Sequence, residues 1–177
     1  MIEKQRATLK VSLIPLVIII LLILGVGYFL LQGEFKFQIF NKEPTVKRLE
    51  GFPTTVSTTN KLERQRRVIT SDQELNDFLN YVDSSGLLQV KDKINFNKEI
   101  VIAVSTETND YTGYKTKIKK VYEDKAKKRI LVSIEDTVLG DKCKLTPGMN
   151  VAVDIITLSK SDWEIKFDRI QKTDECN

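Results

Sequence analysis

Hydrophobic and polar positions divide the chain into one long apolar block and a series of short patterned segments. From Val11 to Leu31 the sequence runs VSLIPLVIIILLILGVGYFLL without a charged residue. At about 1.5 Å per helical residue such a stretch spans roughly 30 Å of hydrocarbon, so the pattern predicts one transmembrane helix. Pro15 falls near its start, where a missing N–H costs little, and Tyr28 falls near the far interface, where aromatic rings are favoured. The block is longer than the apolar core of a cleaved signal peptide, and no Ala-x-Ala follows it. Lys4, Arg6 and Lys10 precede it and outweigh Lys36 and Lys42 after it, which predicts a cytoplasmic N-terminus and an extracytoplasmic C-terminal part.

Beyond the anchor the patterning is that of a folded domain. Glu34–Phe40 reads EFKFQIF and fits either an extended segment or an amphipathic continuation of the helix. Residues 41–60 hold Pro44, Gly51, Pro53 and the run TTVSTTN, a composition that reads as a polar spacer. Arg67–Thr70 predicts a first strand, and Ser71 followed by Glu74 forms a capping-box pattern that opens a helix. Leu75, Phe78, Leu79 and Val82 then recur at helical spacing, with Gly86 beyond the end. Glu99–Val104 predicts a central strand buried on both faces. Tyr114–Tyr122, Arg129–Glu135, Val151–Leu158 and Trp163–Phe167 predict further strands, and their short links favour antiparallel pairing.

The expected fold is therefore α+β: an N-terminal transmembrane helix, then one helix packed on a mainly antiparallel sheet. A sandwich is the alternative. The expected boundaries are 1–10 cytoplasmic, 11–31 anchor, 32–61 spacer and 62–177 exported domain.

Composition narrows the chemistry. Among 177 residues there is no histidine, which removes the commonest general base, the imidazole metal ligands and every Ser-His or Cys-His nucleophile. The chain reads as non-catalytic, with no cofactor and no small-molecule substrate. A net charge of +4 arises from 28 basic and 24 acidic side chains mixed along the sequence, and nucleic acid is not an expected partner.

Three groups of residues carry possible roles. Cys143 and Cys176 are the only cysteines, and in an exported domain their expected fate is a disulfide, with two unpaired thiols as the alternative. Two cysteines without histidine make a poor metal site. Lys115, Lys117, Lys119, Lys120, Lys125, Lys127, Lys128 and Arg129 outline a basic hairpin, which reads as a solvated face or as a surface for anionic lipid or envelope polymer. Glu135, Asp136 and Asp141 read as acidic residues at a strand end, without the ligand loop of a calcium site.

In order and spacing, INFNKEIVIAV, TGYKTKI, RILVSIEDT, VAVDIITL and WEIKF resemble the C-terminal domain of the protease complex subunit PrcB family. The matching positions are Phe96, Lys98, Glu99, Thr112, Gly113 and Tyr114, with a single Gly113 where that family often has two. This resemblance implies a non-catalytic accessory or stabilising subunit for an exported protease. Asn109–Tyr114 is also similar to the loop of chagasin-type cysteine-protease inhibitors, with Asp110 and Tyr111 in place of Pro-Thr. Both likenesses point to the turn formed by Tyr111, Thr112, Gly113 and Tyr114 as the binding element.

Overall fold

The computed structural model describes residue 15, residues 17–23 and residues 46–176. The chain divides into two units, residues 1–40 and 41–177. In the first, Pro15 and Val17–Ile23 are helical and exposed. The remainder of the expected anchor and the Glu34–Phe40 segment lie outside the described residues. No helix among the described residues is long and apolar enough to cross a membrane.

The second unit is an α+β domain with three layers. Its first sheet is organised around β8 (Pro147–Ser159), the longest strand. Along one edge of β8 run β4 (Glu99–Ser105) and its continuation β5 (Asn109–Tyr111); along the other run β1 (Lys47–Arg48) and β2 (Thr54–Ser57). Outside β4 lies β3 (Gln65–Ile69), and all these pairings are antiparallel. The second sheet has the order β6 (Lys115–Asp124), β7 (Arg129–Leu139), β9 (Glu164–Asp174).

The strands of the first sheet are buried on both faces because alternate residues face different layers. Val101, Ala103, Val151, Val153 and Ile155 pack against Leu75, Phe78, Leu79 and Val82 of α1 (Asp72–Val82). Their neighbours Ile100, Ile102, Val104, Ile156 and Leu158 pack against Ile118, Val121, Ile130, Val132 and Ile134 of the second sheet. The helix starts as its sequence requires: the Ser71 side chain accepts from the Glu74 N–H at 3.3 Å. The Glu74 carboxylate reaches one residue further back than a standard capping box, accepting from the Thr70 N–H at 2.6 Å.

Three features depart from the sequence reading. Residues 46–57, read as spacer, belong to the fold: β1 and β2 pair with β8, and Leu49 and Phe52 are buried in the helix-side core. Their polar neighbours hide this because each strand presents only one face inward. The helix does pack on a mainly antiparallel sheet, but that sheet is also one half of a sandwich, so the two alternatives coexist in one domain. Finally, β7 and β9 pair in parallel, from Arg129↔Glu164 to Leu139↔Asp174. A parallel pair needs a long crossover, and here β8, lying in the other sheet, supplies it.

One buried carboxylate joins the two sheets, and a second ties together the strands of the second sheet. Asp154 of β8 is fully buried and accepts from Arg48 Nε and Nη2, both at 3.0 Å, and from the Ile118 N–H at 2.7 Å. Arg48 Nη2 also donates to the Ile118 carbonyl at 2.6 Å. Ile118 borders a register shift in the β6–β7 ladder, where its backbone groups turn toward the first sheet. Asp136 of β7 accepts from Thr116 Oγ1 at 2.6 Å and Arg169 Nε at 2.7 Å. Arg64, just before β3, approaches the same carboxylate at 3.9 Å. Asp136 is thus not a turn residue: β7 continues past it to Leu139.

Candidate functional site

The Tyr111–Tyr114 turn is the corner at which the chain leaves the first sheet and enters the second. β5 ends at Tyr111, Thr112 and Gly113 form the turn, and β6 begins at Lys115. Gly113 has φ +108°, a conformation open to glycine and strained for other residues. A Cβ there would lie 3.0 Å from Leu139 Cδ2, so conformation closes the position and Leu139 would have to shift as well.

Contacts from three segments hold the corner. The Thr112 N–H donates to the Thr146 carbonyl at 2.9 Å. Buried Asn150 donates from Nδ2 to the Tyr111 carbonyl at 2.9 Å and the Gly148 carbonyl at 2.5 Å. Both partners are acceptors, which fixes the amide's orientation. The C-terminal tail closes the third side: the Gly140 N–H donates to the Asp174 carbonyl at 2.8 Å. Cys143 and Cys176 form a disulfide with their Cα atoms 5.0 Å apart. Gly140 eases this approach, since a Cβ would lie 3.1 Å from the Asp174 carbonyl oxygen and 2.8 Å from Oε2 of the exposed Glu175 side chain. Tyr111 and Leu145 remain exposed beside the Thr112–Thr146 bond, and Tyr114 is half-buried.

The structure therefore brings together the turn and the cysteine pair, and separates the basic loop from both. Lys125, Lys127, Lys128 and Arg129 lie at the other end of β6, some 30 Å away at about 3.3 Å per residue. Lys125, Lys127 and Lys128 are exposed in the loop, where Lys128 takes φ +48°, while Arg129 pairs with Asp124 at 2.9 Å. Lys115, Lys117, Lys119 and Lys120 line the exposed face of β6. Glu135 lies among them; its bond from Lys119, with the nearby Lys172 and Lys117 charges, holds its carboxyl below the usual range despite partial desolvation.

The other matching positions fall elsewhere. Phe96 packs on the helix-side core, and Lys98 and Glu99 close a turn through their N–H bonds to the Asn95 carbonyl at 2.9 and 2.8 Å. That turn leads into β4 opposite Ser159, whereas Tyr111 lies opposite Pro147, so the two motifs sit at opposite ends of β8. A groove of about 400 Å³ between α1 and residues 86–94 is lined by Leu75, Leu79, Leu88, Val90 and Ile94, and none of the predicted site residues enters it. Among the described residues no cluster of acidic or cysteine side chains could hold a metal ion.

What sequence reasoning missed is the pair of buried carboxylates, Asp154 clamped between the sheets and Asp136 bonded within the second. One signal was available: Asp154 interrupts the apolar run VAVDIITL, and a carboxylate in a strand buried on both faces needs a charged partner. Compared with family models, curated proteins and solved structures, the chain matches none.

Proposed function

We propose that the protein is a membrane-anchored, extracytoplasmic binding module, held by the Val11–Leu31 segment, that engages a protein partner through the Tyr111–Tyr114 corner. The observation that carries this reading is the Cys143–Cys176 disulfide at the base of that corner. Disulfides persist in oxidising compartments, which supports an exported domain. This one also staples the tail beside Leu139, the residue that backs Gly113. A rigid turn that presents Tyr111 loses little side-chain freedom on binding, as a recognition element should. Following the PrcB-like pattern, the partner class is an exported protease that the domain assists without catalysing a reaction.

The test uses the full chain in its native membrane. A photo-crosslinking amino acid at Tyr111 is expected to give a discrete cross-linked product that the same group at Lys127 does not give. Protease added outside intact cells is expected to digest the domain. Cross-linking at Lys127 alone, or a protected domain, sinks the proposal. Gly113→Val is a poor probe of binding, because strain and the Leu139 contact would unsettle the corner itself.

A second reading places an anionic lipid or envelope surface on the basic loop, favoured by the exposure of Lys125, Lys127 and Lys128. Neutralising all three would then abolish binding to anionic vesicles at low salt, while Tyr111→Ala would not.

A further inference from the structure

We infer that the free edge of β9 is a self-association site, joining two copies of the chain by antiparallel β9–β9 pairing about a two-fold axis at Ile170. Strand β9 ends the second sheet, and among the described residues no strand pairs with its other edge. Every residue from Asp168 to Asp174 is exposed, including Ile170 at 47%. A long edge strand of this kind is a template for another strand.

The backbone limits the possible registers. The Glu164 N–H donates to the Lys128 carbonyl and the Asp174 carbonyl accepts from the Gly140 N–H, so even-numbered residues of β9 direct their backbone groups at β7. Odd-numbered residues direct theirs outward. Two such edges pair only by setting odd opposite odd. Of the registers left, the one centred on Ile170 makes the exposed face self-complementary. Lys166 falls opposite Asp174 and Asp168 opposite Lys172, each twice by symmetry, with Ile170 opposite its own copy. On the other face Arg169 falls opposite Gln171. Centring on Arg169 sets Lys166 against Lys172 and Glu164 against Asp174; centring on Asp168 sets that residue against itself. Like charges in direct opposition are destabilising, so charge selects the Ile170 register among these three; centring on Phe167 also avoids like charges but overlaps fewer residues of the strand.

The product is one continuous sheet of order β6-β7-β9-β9-β7-β6 with an isologous interface. Because Leu139 pairs with Asp174, each corner lies at the outer end of the shared ladder. The two Asp174 positions are about 26 Å apart along it at roughly 3.3 Å per residue, so a dimer would offer two binding turns.

Single cysteines introduced at positions 166, 168, 170 and 172 of the full chain in its membrane test the register, since the native pair leaves no free thiol. Opposed residues at a non-hydrogen-bonded antiparallel position lie about 4.5 Å apart at Cα, within disulfide range. Ile170→Cys is expected to cross-link to its own copy under mild oxidation. Positions 168 and 172, each about 13 Å from its copy in this register, should not. In the Ile170→Cys background, Lys172→Asp should slow cross-linking about tenfold, and adding Asp168→Lys should restore it. Absence of cross-linking at 170, comparable cross-linking at 168 or 172, or failure of the charge swap to restore it would each overturn the register.

Discussion

The two faces of the central sheet solve the same packing problem in different ways. On the helix side, Phe78, Val82, Val101, Ala103, Val153 and Ile155 meet as apolar surface alone. On the second-sheet side, Ile102, Val104, Val132 and Ile156 do the same, but Asp154 and Asp136 are set among them and bonded to arginines. Apolar burial is non-directional, so it holds two layers together without fixing how they are offset. A buried carboxylate is satisfied only where its donors reach it. The Arg48–Asp154–Ile118 clamp therefore fixes where the second sheet sits, and with it the corner at Gly113, while the helix face supplies adhesion.

Breaking each face separately tests this division. Phe78→Ala removes the largest fully buried side chain and should cost about 4 kcal/mol, as large aromatic truncations do. Arg48→Ala leaves Asp154 buried without its cation and should cost about 3 kcal/mol, the low end for a broken buried pair because Arg48 is partly exposed. Urea unfolding of the detergent-solubilised protein gives both values. Hydrogen exchange separates them: Arg48→Ala should expose the β6 amides in particular, whereas Phe78→Ala should expose α1 first. Joint replacement by Arg48→Met and Asp154→Leu sharpens the contrast. It should recover most of the lost stability while leaving β6 exchange fast, because an apolar pair replaces adhesion but not direction. Slow β6 exchange in that variant would remove the clamp from the explanation.

The same contrast accounts for what the sequence revealed. Periodicity reports apolar faces, so α1 appeared with its four buried residues, and β4 appeared as a strand buried on both sides. Gly113 and the cysteines were legible because their types carry conformational or covalent meaning. The inter-sheet clamp joins residues far apart in sequence, Arg48 with Asp154 and Asp154 with Ile118, and no local pattern encodes such pairs. The parallel β7–β9 pair was hidden because the link between the two strands runs through the other sheet. Residues 46–57 were read as spacer because their strands are short and alternate with polar residues.

Protonation of Asp83 probes the helix side. Burial pushes the Asp83 carboxyl up, but bonds from the Ser85 hydroxyl and from the Leu88, Ser85 and Leu87 N–H groups outweigh it and hold the group below its ordinary 3.8. A depressed carboxyl contributes stability that is fully present above the unfolded value and is lost as pH falls through the folded one. Asp83→Ala should therefore cost about 1 to 2 kcal/mol at neutral pH, and the gap from wild type should narrow below pH 4 or so. Stability curves at neutral and acid pH check this. A gap that stays constant into acid would mean that the charge on Asp83 contributes nothing to the loop it organises.

The smallest effect expected is at the start of α1. Ser71 has extended backbone and its side chain accepts from the Glu74 N–H at 3.3 Å, a long bond for a cap. Glu74 meanwhile serves the Thr70 N–H and hydroxyl, and these bonds hold its carboxyl below the usual range. The helix entrance is thus held by two contacts that reach different residues, so losing one leaves the other intact. Ser71→Ala should cost no more than about 1 kcal/mol and should leave exchange in β6 unchanged. Ser71→Gly should cost only a few tenths, since glycine tolerates the cap backbone. If Ser71→Ala instead accelerates β6 exchange as Arg48→Ala does, the helix would be coupled to the second sheet through the central strands. The two faces would then act as one cooperative unit.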